Sequence, residues 1–316
     1  MFSRTSLALA GAIGAASAAF PDTPAFAHAI AGNRVFPATL GIDDPGVGDE
    51  LALPTLTALP SNSDGVHEFD ASFSYTKTII EGLGLSIADG KTWLKPGGAG
   101  WGNIDTELKY NFYTSDPHEF MASIGLDATW ANTGTRNFSD PFNTFTPVLD
   151  AGKGFGDLPT SLDLLRPFAL TAEIGLAIPS ESHISSTAFD DSGNPFLSVA
   201  LDPTVLNWGF TVQYSLPYLN ANVSEIGGPD FVRHLVPITE FAFQTPVRNY
   251  APGGQTTTGT IQPGVVYLAD SWQIAVEALV PLNAASGHRV GGVAELHFFF
   301  DDLFPDTLGK PLFNLQ

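Results

Sequence analysis

The sequence predicts an all-β fold, a transmembrane antiparallel up-and-down β-barrel of about twelve strands. Three observations predict it. First, runs in which apolar and polar residues alternate recur along the 316 residues. Period-two alternation marks a strand with one apolar and one polar face. Second, the runs extend over about 9–13 residues, where ordinary strands average roughly 5–6. At roughly 3.3 Å per residue and a tilt of about 40°, they cover roughly 25 Å, the height of an outer-membrane apolar band. Third, 44% of residues are hydrophobic but only 15% are charged, well below the usual quarter or so. Much of the outer surface therefore does not face water.

The N-terminus is read first. Arg4 precedes an apolar run at 7–20, and Ala25-Phe26-Ala27 offers small residues where a signal peptidase reads. The run is shorter than the roughly 20 residues a spanning helix needs, and Pro21 and Pro24 would end a helix. Residues 1–27 are expected to be a cleaved signal peptide. Residues 28–48 form an irregular acidic extension containing Asp43-Asp44-Pro45-Gly46, and both a lumen plug and a linker fit it. Residues 49–302 make the barrel and 303–316 a C-terminal tail.

The strands follow in order. Alternation at 50–60 is weak, because Pro54 suits only special places in a sheet. Phe69, Ala71, Phe73 and Tyr75 oppose Asp70, Ser72 and Ser74, and Leu83, Leu85 and Ile87 oppose Gly84, Ser86 and Ala88. Residues 101–130 hold two runs around the turn Ser115-Asp116-Pro117. The first sets Ile104, Thr106, Leu108, Tyr110 and Phe112 against Asp105, Glu107, Lys109 and Asn111. The second sets Ala122, Ile124, Leu126, Ala128 and Trp130 against Ser123, Gly125, Asp127 and Thr129. A weaker strand around 145–149, a long one at 168–178, a loop at 179–203 and a strand at 206–216 come next. Shorter signals at 240–244 and 265–268 precede the runs at 272–280 and 293–300. Tight turns near 77–81, 115–117 and 269–271 fall on one side if the weak run is the first strand. The long loops at 131–143 and 179–203 then fall on the other. That parity favours twelve strands with both termini periplasmic.

In lipid the apolar stripes face outward, and the polar stripes line a lumen. The expected lumen-lining charges are Asp105, Glu107, Lys109, Asp127, Glu173, Glu240, Glu277 and Glu295. Aromatic residues at strand ends, Trp101, Trp130, Tyr113, Tyr218 and Trp272, suit interfacial girdles.

The formal charge of −20 leaves no basic patch for nucleic acid or for anionic lipid. The chain has no cysteine, which excludes disulfides, thiolate metal sites and cysteine nucleophiles. No cofactor and no metal site is expected, because the histidines lack ligand spacing. His183-Ile184-Ser185 has the spacing of a histidine–serine acyl-hydrolase pair, but it falls in the long loop rather than on a barrel strand. Asp190-Asp191-Ser192-Gly193-Asn194 offers calcium-type oxygens without the Glu and spacing of a full binding loop. The chain is therefore not expected to be an enzyme.

The paired aspartates Asp43-Asp44-Pro45-Gly46, the last strand 296–302 (Leu-His-Phe-Phe-Phe-Asp-Asp) and the Gly309-Lys310-Pro311 tail resemble those of the phenol meta-pathway (MetA-type) outer-membrane family of Gram-negative bacteria. The resemblance implies a channel or transporter of the Gram-negative outer membrane, and it carries over no functional residue; the barrel assembly machinery and outer-membrane lipid are the expected partners. The expected function is a passive channel or transporter for small polar or cationic solutes or for hydrophobic compounds. The competing readings are a non-conducting structural or adhesion barrel and a soluble periplasmic β-sandwich binding protein.

Overall fold

The computed structural model describes residues 29–61, 65–189 and 194–313. The expected signal peptide (1–27) and residues 190–193 of the calcium-like turn lie outside them. Twelve antiparallel strands close into a barrel: β1 (Glu50–Ala58), β2 (His67–Ile80), β3 (Leu83–Lys95), β4 (Asp105–Ser115), β5 (Phe120–Thr129), β6 (Thr144–Gly154), β7 (Phe168–Pro179), β8 (Thr204–Tyr214), β9 (Leu235–Arg248), β10 (Thr258–Leu268), β11 (Trp272–Pro281) and β12 (Gly291–Phe299). Each pairs with the next, and β12 pairs with β1, so no strand edge is left along the wall. A three-residue strand, Ala99–Trp101, adds to β3 at its far end.

The barrel is apolar outside and polar inside. On β5, Ile124 is 53% exposed while its neighbour Ser123 is 0%. On β11, Val276 is 51% exposed and Ala275 0%. The fully buried side chains of the wall include Asp150, Thr171, Thr211, Gln213, Glu240 and Gln273. A soluble sandwich would have the reverse arrangement, and its two sheets would not close. A belt of exposed Leu, Ile, Val and Phe around a closed wall is stable in lipid, where the backbone must satisfy its own hydrogen bonds. The soluble periplasmic sandwich is thereby overturned.

Prolines explain where alternation was hard to read. Pro54 sits at a register shift on β1, a bulge that absorbs its missing donor. β9 runs through Pro237 and Pro246, and β10 through Pro263 and two glycines, so both strands are longer than their readable alternation. The turn from β2 to β3 is two residues, and Gly82 supplies the positive φ of 75° that it needs. The segment at 179–203, expected from sequence to be a loop, is not free of strands. It holds a hairpin, His183–Phe189 with Pro195–Leu201, standing clear of the barrel.

At the opposite end of the barrel, an α-helix (α1, Leu216–Asn222) and a 3-10 turn (Asp230–His234) fill the long connection from β8 to β9. A second helix (α2, Phe300–Leu303) follows β12. The tail then folds back, and the amides of Leu312 and Phe313 donate to the carbonyls of Thr78 and Ile79 at 3.0 and 2.9 Å.

Candidate functional site in the barrel lumen

The lumen is divided between a segment of the chain and water-accessible space. Residues 29–49 enter from the end that carries α1, climb to mid-height and return. At the base, Ala29–Ala31 and Arg34–Phe36 pair as a short hairpin. Arg34 is fully buried there. Its guanidinium donates to Glu119 Oε2 (3.2 Å) and to the carbonyls of Pro167 (3.0 Å) and Arg166 (2.5 Å). It also lies 3.8 Å from the centroid of the Tyr218 ring, a cation–π contact. Every partner belongs to a turn at that same end or to α1.

At the apex, four consecutive backbone amides meet wall carboxylates. Leu40 and Gly41 donate to Glu240 at 2.8 Å each, Ile42 donates to it at 3.1 Å, and Asp43 donates to Glu173 at 2.6 Å. Successive amides converging on one anion form a nest, which favours negative charge at its centre. Beside it, Lys109 donates to the Asp43 carboxylate and, at 3.0 Å, to the Asp44 carbonyl. Glu107 and Asp150 each stand 3.5 Å from the same ammonium. Burial, reinforced by Asp43 and Glu50 and opposed by Lys109, pushes the Asp44 carboxyl up to about 7.

Leu40 packs on the cluster of Val236, Ile238, Val266 and Ala275, and Gln273 donates to the Ala38 carbonyl at 2.8 Å. The wall makes room for the segment: a Cβ on Gly209 would stand 2.5 Å from Ile42 Cγ2. The descending limb ends at Asp49, which accepts from Lys77 Nζ (2.6 Å) and the Thr78 amide (2.9 Å). Its own amide donates to Asp301 at 3.1 Å. Burial and the adjacent Asp49 push the Asp301 carboxyl up to about 8.

The remaining space is acidic. One cavity of about 360 Å³ is lined by Asp43, Glu107, Lys109, Asp127 and Glu173 among others. A second, of about 500 Å³, reaches the outer mouth past Asp70, Asp89, Asn103 and Asp140. Both are bounded by Ala52, Ser74, Ala88, Asp105, Thr129 and Glu295, so they are two parts of one vestibule on the β1–β6 side. On β12, His297 sits between Glu295 (3.0 Å) and Glu50 (3.1 Å).

Asp105, Glu107, Lys109, Asp127, Glu173 and Glu295 thus border the vestibule. Glu240 and Glu277 do not meet water as expected. They are 0% and 3% exposed, because the N-terminal segment covers that side of the wall. Trp101, Trp130 and Tyr113 are exposed at the ends of the wall, and Trp272 stacks on Tyr267 with centroids 5.5 Å apart. Tyr218 is not a girdle residue. It is 5% exposed on α1, under Arg34, since residues past Ser215 leave the wall for a helix. Asp150 and Asp89 escaped the sequence reading, although both fall in step with inward neighbours.

Among the described residues, no group of three or more His, Cys, Asp or Glu side chains is placed to hold a metal ion. No helix among them is long and apolar enough to cross a membrane. His183 and Ser185 lie on the outer hairpin, away from the vestibule.

No protein-family model and no curated protein matches the sequence. Solved structures do resemble it. An outer-membrane channel from Pseudomonas putida F1 shares 12% identity at a TM-score of 0.46, over 84% of this chain and 99% of that one. NanC porin shares 11% at 0.45, over 78% and 99%. KdgM porin shares 10% at 0.44, over 78% and 98%. Similarity that slight assigns neither substrate nor family, and the barrel stands on its own strand pairing.

Proposed function

We propose that this chain is a passive outer-membrane channel for small polar or cationic solutes, occluded at mid-height by its own residues 29–49. The observation that carries this reading is the acidic vestibule running from the outer mouth to Lys109. A low-dielectric wall lined by one sign of charge focuses the field and concentrates counter-ions. Asp105 and Asp127 are the side chains assigned to solute cations, because neither is bound by the N-terminal segment. Hydrophobic compounds are the competing class, and in this lining they would meet Val47, Val148, Phe73 and Phe138 alongside the carboxylates.

Planar-bilayer recording in a salt gradient tests the proposal. The expected result is a small conductance whose reversal potential reports cation preference, weakened in a variant carrying Asp105→Asn with Asp127→Asn. Anion preference would contradict it. So would silence that persists after residues 29–49 are deleted, and the barrel would then be structural.

A further inference from the structure

We propose that residues 38–47 are a releasable gate, latched by Glu240 and Glu173 acting as positioning residues rather than as solute ligands. The inference rests on the channel reading above and adds how that channel is closed. The two parts of the N-terminal segment are held by different means. The base is fixed by a fully buried guanidinium, an aromatic ring and two backbone carbonyls. The descending limb is tied by Asp49 to Lys77 and Thr78. Between these anchors, the apex borders the vestibule on one side through Thr39, Asp43 and Val47. Besides the packing of Leu40 and the buried Ile42, it is held by charge: the amides of 40–43 on two carboxylates, and Asp43 on Lys109. Charge-assisted hydrogen bonds are strong but directional. The Asp43 carboxylate, 53% exposed, faces vestibule water that can replace its partners, whereas the buried guanidinium at the base has no such exchange. The apex therefore leaves its seat while both anchors stay.

The cysteine-free chain makes the seat directly readable. A Cβ built on Gly84 of β3 falls 2.8 Å from Val47 Cγ1. Val47→Cys with Gly84→Cys therefore brings two Cβ atoms near the roughly 3.5–4.5 Å of a disulfide. In the full-length barrel the pair should oxidise rapidly, silence any conductance, and recover it on reduction. Adding Glu240→Ala removes the acceptor of three amides and should slow cross-linking by roughly tenfold or more. Glu240→Gln keeps one acceptor oxygen and should slow it less. A heat-dependent gel shift verifies that each barrel has folded. Cross-linking that is equally fast in all three backgrounds, or a measurable conductance that is the same oxidised and reduced, would overturn the gate. Slower cross-linking with silent bilayers would support the gate and contradict the channel.

Discussion

Leu108 and Lys109 are adjacent in sequence and face opposite phases. Leu108 is 46% exposed on the outside, and Lys109 is buried against Asp43 inside. Leu108→Arg places a charge in mid-bilayer and should cost roughly 2–4 kcal/mol of barrel stability, read by reversible unfolding into detergent or lipid. Glu107→Gln should leave that stability nearly unchanged. Arg34→Ala strands Glu119 without its buried partner, a loss of about 3–5 kcal/mol for such pairs. That loss falls on docking of the segment rather than on strand pairing. Limited proteolysis should then cut residues 29–49 free in the variant while the parent stays protected. Alternation alone put Asp105, Glu107 and Asp127 on the polar stripe, because those strands are unbroken. It was silent on Arg34, whose partners, Glu119 and two backbone carbonyls, lie far along the chain.

Strands and segments differ in how much their sequences disclose. β4, β5, β7 and β11 were legible because one face meets lipid along their whole length. β9 and β10 were read short, since proline and glycine at Pro237, Pro263 and Gly264 break the pattern without breaking the strand. The N-terminal segment has no period to read: its conformation is dictated by the wall it rests on. The connection carrying Tyr218 was misread because an interfacial aromatic and a buried one look alike in sequence.

The pH response belongs at this scale. The Asp44 carboxyl, raised to about 7 in the docked segment, holds a proton that an undocked carboxyl loses near 4. Asp44's contribution to docking is thus full at low pH and is lost as pH rises from about 4 through 7. The raised Asp301 at the second anchor acts in the same direction up to about 8. Hydrogen-exchange protection of amides 40–46, corrected for intrinsic rate, should fall between pH 5 and pH 8. Asp44→Asn should flatten that slope, and an unchanged slope would remove Asp44 from the account.

At the scale of the molecule, twelve strands, with three tight turns sharing one end with the long α1 connection, form a barrel turned inside out relative to a soluble domain. Strand parity was readable because three tight turns fall at the same end. What fills the lumen was not, because contacts between residues 38–49 and Glu240, Lys109 or Lys77 depend on the closed wall bringing distant strands together. The central claim is the orientation of the two faces. Single cysteines placed in turn at 105, 106, 107 and 108 of the cysteine-free chain, in liposomes treated with a water-soluble maleimide, test it most directly. Labelling at 105 and 107 with protection at 106 and 108 is the expected result. Labelling at 106 and 108 instead, or at all four positions alike, would contradict it.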